Sequence, residues 1–351
     1  MIPRPHGTTG ARIANDRETA GLDVIGSILM RTILRPVPDL RERVWGGRRL
    51  GTPRSQPIGE AWVAGPSNLV AEGPDAGRTL AEVAAREGAA FVGRNAGART
   101  GDRFPLLVKL IDPAAWLSVQ VHPDDATAVR LEGPDALGKT EAWYVLDATP
   151  DAELLVGVRP HIDGATVRAA IADGSGSLTP LLARQHARAD DVVMIPAGTL
   201  HAVGPGVLLY EIQQPSDVTY RCDDWGRPAT PERPLHIPQA LASVRPASRP
   251  RLRHGRSIHG APLLSCEHFV LERLAVAPDS PVVVDPGGAS VHVLTAIDGP
   301  VRLLPVTADG EGGRADQIVL GAMETVVVPA SGPAYALDAP AVAHVLLARV
   351  P

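Results

Sequence analysis

Cysteine is scarce in this chain of 351 residues: only Cys222 and Cys266 occur, with no Cys-x-x-Cys spacing. Two isolated thiols cannot build a multi-bridge framework. They suit a reducing compartment, so a cytoplasmic location is expected. Also missing is any run of about 18 apolar residues, the length that a membrane helix requires. The opening segment has no signal-peptide pattern, because Arg, Asp, Glu and Gly interrupt every apolar stretch before Met30. Charge of one sign is lacking too. The net charge is −5, with acidic and basic residues mixed along the chain. No basic stripe marks a nucleic-acid surface. An anionic substrate remains compatible, since a site can be locally positive on a mildly acidic protein.

What is present describes a globular, strand-rich protein. Hydrophobic residues make up 44% and charged residues 21%, enough apolar material for a sizeable core. The length suits one large all-β domain or two smaller ones. Glycine (35) and proline (34) are frequent, and such punctuation fits short strands joined by tight turns. Residues 1–28 are polar and aperiodic and read as a loose leader, with Met30 an alternative start. Strands are predicted over 106–111, 116–122, 141–146, 153–158, 191–195 and 207–213. Helices are predicted over Thr79–Glu87, where Thr79 and Glu82 have capping-box spacing, over 165–172 after Asp163 as N-cap, and over 178–184. The first unit is set at 29–246. A basic, proline-containing linker follows at 247–256. A second β-sandwich spans 257–351, with strands over 269–276, 282–285, 290–297, 301–306, 325–328 and 343–349. It has few clustered histidines or carboxylates and is expected to be structural.

The strongest local signal is Ser118-Val119-Gln120-Val121-His122-Pro123-Asp124-Asp125. Alternate side chains of a strand share a face, so Ser118, Gln120 and His122 point one way. Three polar groups on one face of an apolar strand are costly unless partnered or functional. Glu141 opens the next apolar strand, with Lys139 two residues before it. Pro196-Ala197-Gly198-Thr199-Leu200-His201 makes a tight turn that delivers His201 into another strand. Gln120, His122, Glu141 and His201 together offer two imidazoles, a carboxylate and an amide oxygen. That set suits Zn²⁺, and also Fe²⁺ or Mn²⁺. Spacing alone does not bring the four together.

Pro196–His201 resembles the second cupin motif. Trp45-Gly46-Gly47, Gly59-Glu60-Ala61-Trp62, Phe104–Lys109, Val119–Asp124, Lys139-Thr140-Glu141 and Gln213–Arg221 occur in the order seen in type I phosphomannose isomerases. The resemblance runs from about Ile33 to Ala240 and is weaker beyond. It implies an all-β cupin sandwich (jelly roll) with a few short helices, in the shorter bacterial form. It further implies one Zn²⁺ per chain held by Gln120, His122, Glu141 and His201. Arg221, Lys139 and Glu211 would be catalytic, and Lys109 and Ser118 would hold phosphate. In longer relatives an Asp precedes the Trp-Gly of the first motif; here Val44 stands there. The implied reaction interconverts mannose 6-phosphate and fructose 6-phosphate through a cis-enediol, a step of carbohydrate metabolism. The partner would be a small sugar phosphate, with neither nucleic acid nor membrane, and the protein a monomer or homodimer. Arg221 is too basic to serve as a base, which leaves Lys139 or Glu211 as proton shuttle. The same donor set would serve a metal-dependent oxygenase or a non-catalytic sugar-binding cupin.

Overall fold

The computed structural model describes residues 33–51, 56–255, 261–306 and 317–351. The expected leader at 1–28 and Met30 lie outside these. Twelve strands form the first sandwich: β1 (Asp39–Gly47), β2 (Ile58–Ala64), β3 (Leu107–Ile111), β4 (Val119–Val121), β5 (Glu141–Ala148), β6 (Glu153–Val158), β7 (Leu182–His186), β8 (Asp191–Ile195), β9 (His201–Val203), β10 (Val207–Gln213), β11 (Tyr220–Asp223) and β12 (Arg253–His254). One sheet has the order β1-β2-β3-β10-β5-β8-β12 and the other β11-β4-β9-β6-β7. All pairings are antiparallel.

The second sandwich contains β13 (Leu264–Ser265), β14 (Val270–Val276), β15 (Val282–Val284), β16 (His292–Ala296), β17 (Val301–Pro305), β18 (Ile318–Leu320), β19 (Thr325–Val328), β20 (Tyr335–Asp338) and β21 (Ala343–Arg349). Its sheets run β13-β14-β21-β16-β19 and β15-β20-β17-β18. Leu294, Val326, Val345, Leu303 and Leu337 fill the space between them.

The seven-stranded sheet is covered on both faces, which is why its central strands read as nearly unbroken apolar runs. Along β5 and β10 the side chains alternate. Trp143, Val145, Val207 and Leu209 pack toward the five-stranded sheet. Ala142, Tyr144, Tyr210 and Ile212 pack outward, in one cluster with Phe269, Val293 and Leu346 of the second sandwich. Leu34 pairs with Val327 across that junction, and Ile33 packs into the second sandwich's own core. At the other end of the expected linker, Arg253 and His254 pair with β8 and close the edge of the first sheet.

Local chemistry explains the helices. Thr79 caps Leu80–Glu87 with a reciprocal capping box to Glu82, and Asp163 caps Gly164–Asp173. The helix expected over 178–184 is corrected: only Thr179–Leu181 forms a 3-10 turn, after which β7 pairs along β6. Pro180 opens a short turn well, but Leu182–His186 gains a strand ladder instead. Short helices not expected from sequence occur at Ala89–Val92, Arg94–Thr100, Asp125–Glu132 and Ile237–Ser243.

Candidate active site

The proline-glycine turn before β9 is fixed by its backbone. Gly198 has φ +87°, and a Cβ there would meet the Arg245 side chain at 2.6 Å. Its N–H donates to the His122 carbonyl at 2.8 Å, tying the turn to the end of β4. His201 then lies directly across from Gln120 in the β4–β9 ladder, and β6 flanks it through Val156. Glu141 approaches from the facing sheet. His122, Glu141 and His201 are all buried, and their donor atoms lie within 4.8 Å of one another.

The orientation of the rings matters more than their proximity. His122 Nδ1 donates to the Val218 carbonyl at 2.9 Å, and His201 Nδ1 donates to the Thr199 carbonyl at 2.9 Å. Those bonds leave each Nε2 as a lone-pair donor, the arrangement of metal-ligating histidines. His122 Nε2 is 3.4 Å from Glu141 Oε2, and His201 Nε2 is 3.3 Å from Glu141 Oε1. The Gln120 carboxamide reaches His201 Nε2 at 3.2 Å, and either end of the amide fits there. Neither Glu141 oxygen has a hydrogen-bond partner. Lys139 Nζ is 2.8 Å from Oε2, close enough for an ion pair but out of line for a hydrogen bond. A fully buried carboxylate with one ion pair and no hydrogen bond is expensive. Nitrogen and oxygen donors converging on one point fit a divalent cation.

Protonation follows burial and charge. Burial, with the Lys139 ammonium beside it, pushes His122 down to about 3, and burial also lowers His201. Both rings are therefore neutral and able to ligate. Burial would raise Glu141, but the Lys139 ammonium overcomes this and holds it well below the usual carboxylate range. Lys139 is disfavoured by burial, yet the Glu141 and Glu211 carboxylates overcome this and keep it charged, above its ordinary value. Glu211 goes the other way: burial and the Glu141 charge raise it.

A cavity of about 370 Å³ opens beside this cluster. Lys109, Ser118, Gln120, Lys139, Glu211 and Arg221 all line it, so the expected substrate-facing residues come together beside the expected ligands. Lys109 sits among carboxylates, 3.4 Å from Glu211 Oε1 on β10 and 3.9 Å from Asp217 Oδ1 in the loop that follows. Trp143 Nε1 donates to Glu211 Oε2 at 2.8 Å, while Oε1 accepts no hydrogen bond. Arg221 lies opposite Gln120 in the β4–β11 ladder.

Val44 is 72% exposed, whereas its neighbours Arg43 and Trp45 line the cavity. The side chain at position 44 faces away from the site and forms no part of the cavity wall. Sequence reasoning missed Arg43, Glu60, Trp143, Asp217, Glu232 and Arg233 as lining residues. Glu60 and Asp217 stood inside the motifs; no pattern marked Arg233.

Comparison with known proteins agrees with this geometry. Residues 40–161 match the model of the phosphomannose isomerase type I catalytic domain. The chain is 41% identical over 222 residues to the probable mannose-6-phosphate isomerase GmuF of Bacillus subtilis, covering 59% of this chain and 66% of that protein. It is 37% identical over 225 residues to mannose-6-phosphate isomerase ManA of the same organism, covering 61% and 68%. The aligned sequence thus spans about two thirds of these relatives. In structure, the fold superposes on the Bacillus subtilis mannose 6-phosphate isomerase crystal structure with a TM-score of 0.73 and 26% identity, over 90% of this chain and 99% of that one.

Proposed function

This chain belongs to the type I mannose-6-phosphate isomerase family, and from that membership and the chemistry of its cavity we infer that it interconverts mannose 6-phosphate and fructose 6-phosphate. The observation that carries the reading is the Glu141 carboxylate, buried without a hydrogen bond and flanked by the Nε2 atoms of His122 and His201 beside the cavity. We assign Gln120, His122, Glu141 and His201 as ligands of a single zinc ion. Bound there, zinc would act as a Lewis acid toward the sugar oxygens and stabilise negative charge.

The chain's own residues account for the proton movement. Glu211 is the proposed base: it lines the cavity, its Oε1 is uncommitted, and its raised pKa suits proton exchange nearer neutral pH. It removes the proton from C2 of the aldose and returns it to C1, while the hydroxyl proton passes from O2 to O1. The intermediate is a cis-enediol, and atoms balance without any co-reactant. Trp143 holds the carboxylate by its second oxygen. Lys139, kept charged by Glu141 and Glu211, supplies positive charge rather than a base. Arg221 adds fixed charge from the other wall. Ser118 remains on the phosphate. Lys109 we reassign to tuning Glu211, because its charge is already balanced by carboxylates. The oxygenase alternative would not need this row of cations.

A cytoplasmic enzyme fits two unpaired cysteines, and no helix among the described residues is long and apolar enough to cross a membrane. The test is metal analysis with a coupled assay of fructose 6-phosphate formation. Turnover that tracks zinc content supports the reading; a fully zinc-loaded protein without turnover overturns it.

A further inference from the structure

The cavity's two walls carry unequal charge. On the seven-stranded side, Arg43, Lys109 and Lys139 are matched by Glu60, Glu141 and Glu211, with Asp217 of the loop after β10 also near Lys109. On the five-stranded side, Arg221 meets no carboxylate within ion-pair distance among the described residues. Its Nη1 donates to the Pro234 carbonyl at 2.8 Å, and its buried Nε has no partner. Beside it stands Arg233, carried by the loop that follows β11. Asp224 grips Arg233 through Nε and Nη2, at 2.5 and 2.7 Å. That fork leaves Nη1 without a protein partner among the described residues, on a side chain that lines the cavity. Asp224 is also shared with Arg227 at 3.0 Å, so one carboxylate serves two guanidiniums. Burial and the nearby Arg233 charge both disfavour the Arg221 cation. Glu232 is the only acidic residue among the lining residues of this loop, and it is exposed, where solvent screens it.

Two guanidiniums held near each other with spare N–H groups form an anion site. Arginine forks match the oxygens of a phosphate dianion. The buried hydroxyl of Ser118 lines the same cavity just before β4, and Arg221 lies across from Gln120 on that strand.

We propose that Arg233, braced by Asp224, binds the substrate's phosphate together with Arg221 and Ser118. This rests on the isomerase reading for the substrate but on the guanidinium pair for the subsite. The phosphate then lies against the five-stranded wall, and the reacting carbons face Glu211 on the other. The loop 224–235 thereby becomes part of the substrate site.

Inorganic phosphate is the probe, used on the metal-loaded protein as a competitive inhibitor and in direct calorimetric titration. In R233Q the Ki for phosphate and the KM for mannose 6-phosphate should each rise about 10-fold to 150-fold, as expected for a charge-assisted hydrogen bond. The fall in kcat should be smaller, and zinc content unchanged. R233K should recover part of the affinity. R227Q, which removes the other partner of Asp224 but not a cavity-lining group, should leave the phosphate Ki within about threefold. The proposal is overturned if R233Q leaves Ki and KM near wild type, or if R227Q weakens phosphate as much as R233Q does. A wild-type protein that binds phosphate but never turns over mannose 6-phosphate would overturn the reaction assignment instead, and leave the clamp standing.

Discussion

The two sandwiches treat their fully buried polar side chains differently. In the second, the four fully buried polar side chains among the described residues, Ser290, His292, Thr295 and Thr325, all have partners. His292 Nδ1 meets Tyr335 Oη at 3.0 Å, Thr295 and Thr325 bond each other at 2.9 Å, and Ser290 bonds the backbone at Val291 and Val350. In the first, both oxygens of Glu141, one of Glu211, one of Gln213 and the Arg221 Nε remain unsatisfied. Each such group costs stability unless a ligand completes it. The second sandwich also leaves Arg302 Nε and Gln317 Oε1 open, but on part-exposed side chains away from the active-site cavity, whereas the open Glu141, Glu211 and Arg221 atoms of the first gather at one site, where metal and substrate would complete them.

The sharpest break in that contrast is His201→Ala. Losing one imidazole from a four-donor set should strip most of the zinc and lower kcat/KM by about a thousandfold, several kcal/mol of transition-state stabilisation. Metal analysis beside the coupled assay checks it; stoichiometric zinc after this change would refute the ligand set. The mirror experiment is Leu294→Ala, in the core of the second sandwich. It should cost about 2–5 kcal/mol of folding stability. Zinc content and kcat/KM of the folded fraction should stay put, as read by denaturant melts and assays at low temperature.

The partnered side has its own pH signature. Burial, with the Arg349 charge second, lowers His292 from 6.5 to about 4. The unfolded chain takes up this proton first as pH falls. The stability is thus complete above pH 6.5 and is lost between 6.5 and 4, by roughly 3 kcal/mol. His292→Gln should remove that component, so the difference in denaturant midpoint between wild type and variant should change across this window. The smallest effect is expected from Lys109→Gln. Lys109 is one of the charges that restrain the rise of Glu211. Without it the base protonates more readily, and the acid limb of kcat should move to higher pH, with KM changed by less than about threefold. A large rise in KM with an unmoved limb would return Lys109 to the phosphate.

Much of this was legible wherever a residue's role is set by its near neighbours. The alternation in Val119-Gln120-Val121 and the turn geometry of Pro196–His201 carry their own instructions, as do the caps at Thr79 and Asp163. What escaped depends on partners far along the chain. β1 and β2 were not foreseen, because Asp39-Leu40-Arg41-Glu42-Arg43-Val44 is an edge strand whose outer side meets water. The strand expected over 116–122 shrank to Val119–Val121, since Trp116 instead packs against Trp225, with ring centroids 4.9 Å apart. Arg233 gains meaning only when its loop folds back over β11, which no local pattern in the sequence specifies.

The pairing of Leu34 with Val327 joins positions nearly 300 residues apart. During synthesis at about 5–20 residues per second, the early partner waits roughly 15–60 s for the late one. In that interval Ala142, Tyr144, Tyr210 and Ile212 have emerged, but the strands that cover them have not. The nascent chain must therefore pass through a stage in which a finished catalytic sandwich presents a bare apolar back. Its yield in a cell will depend on how well that surface is shielded until the last strands arrive.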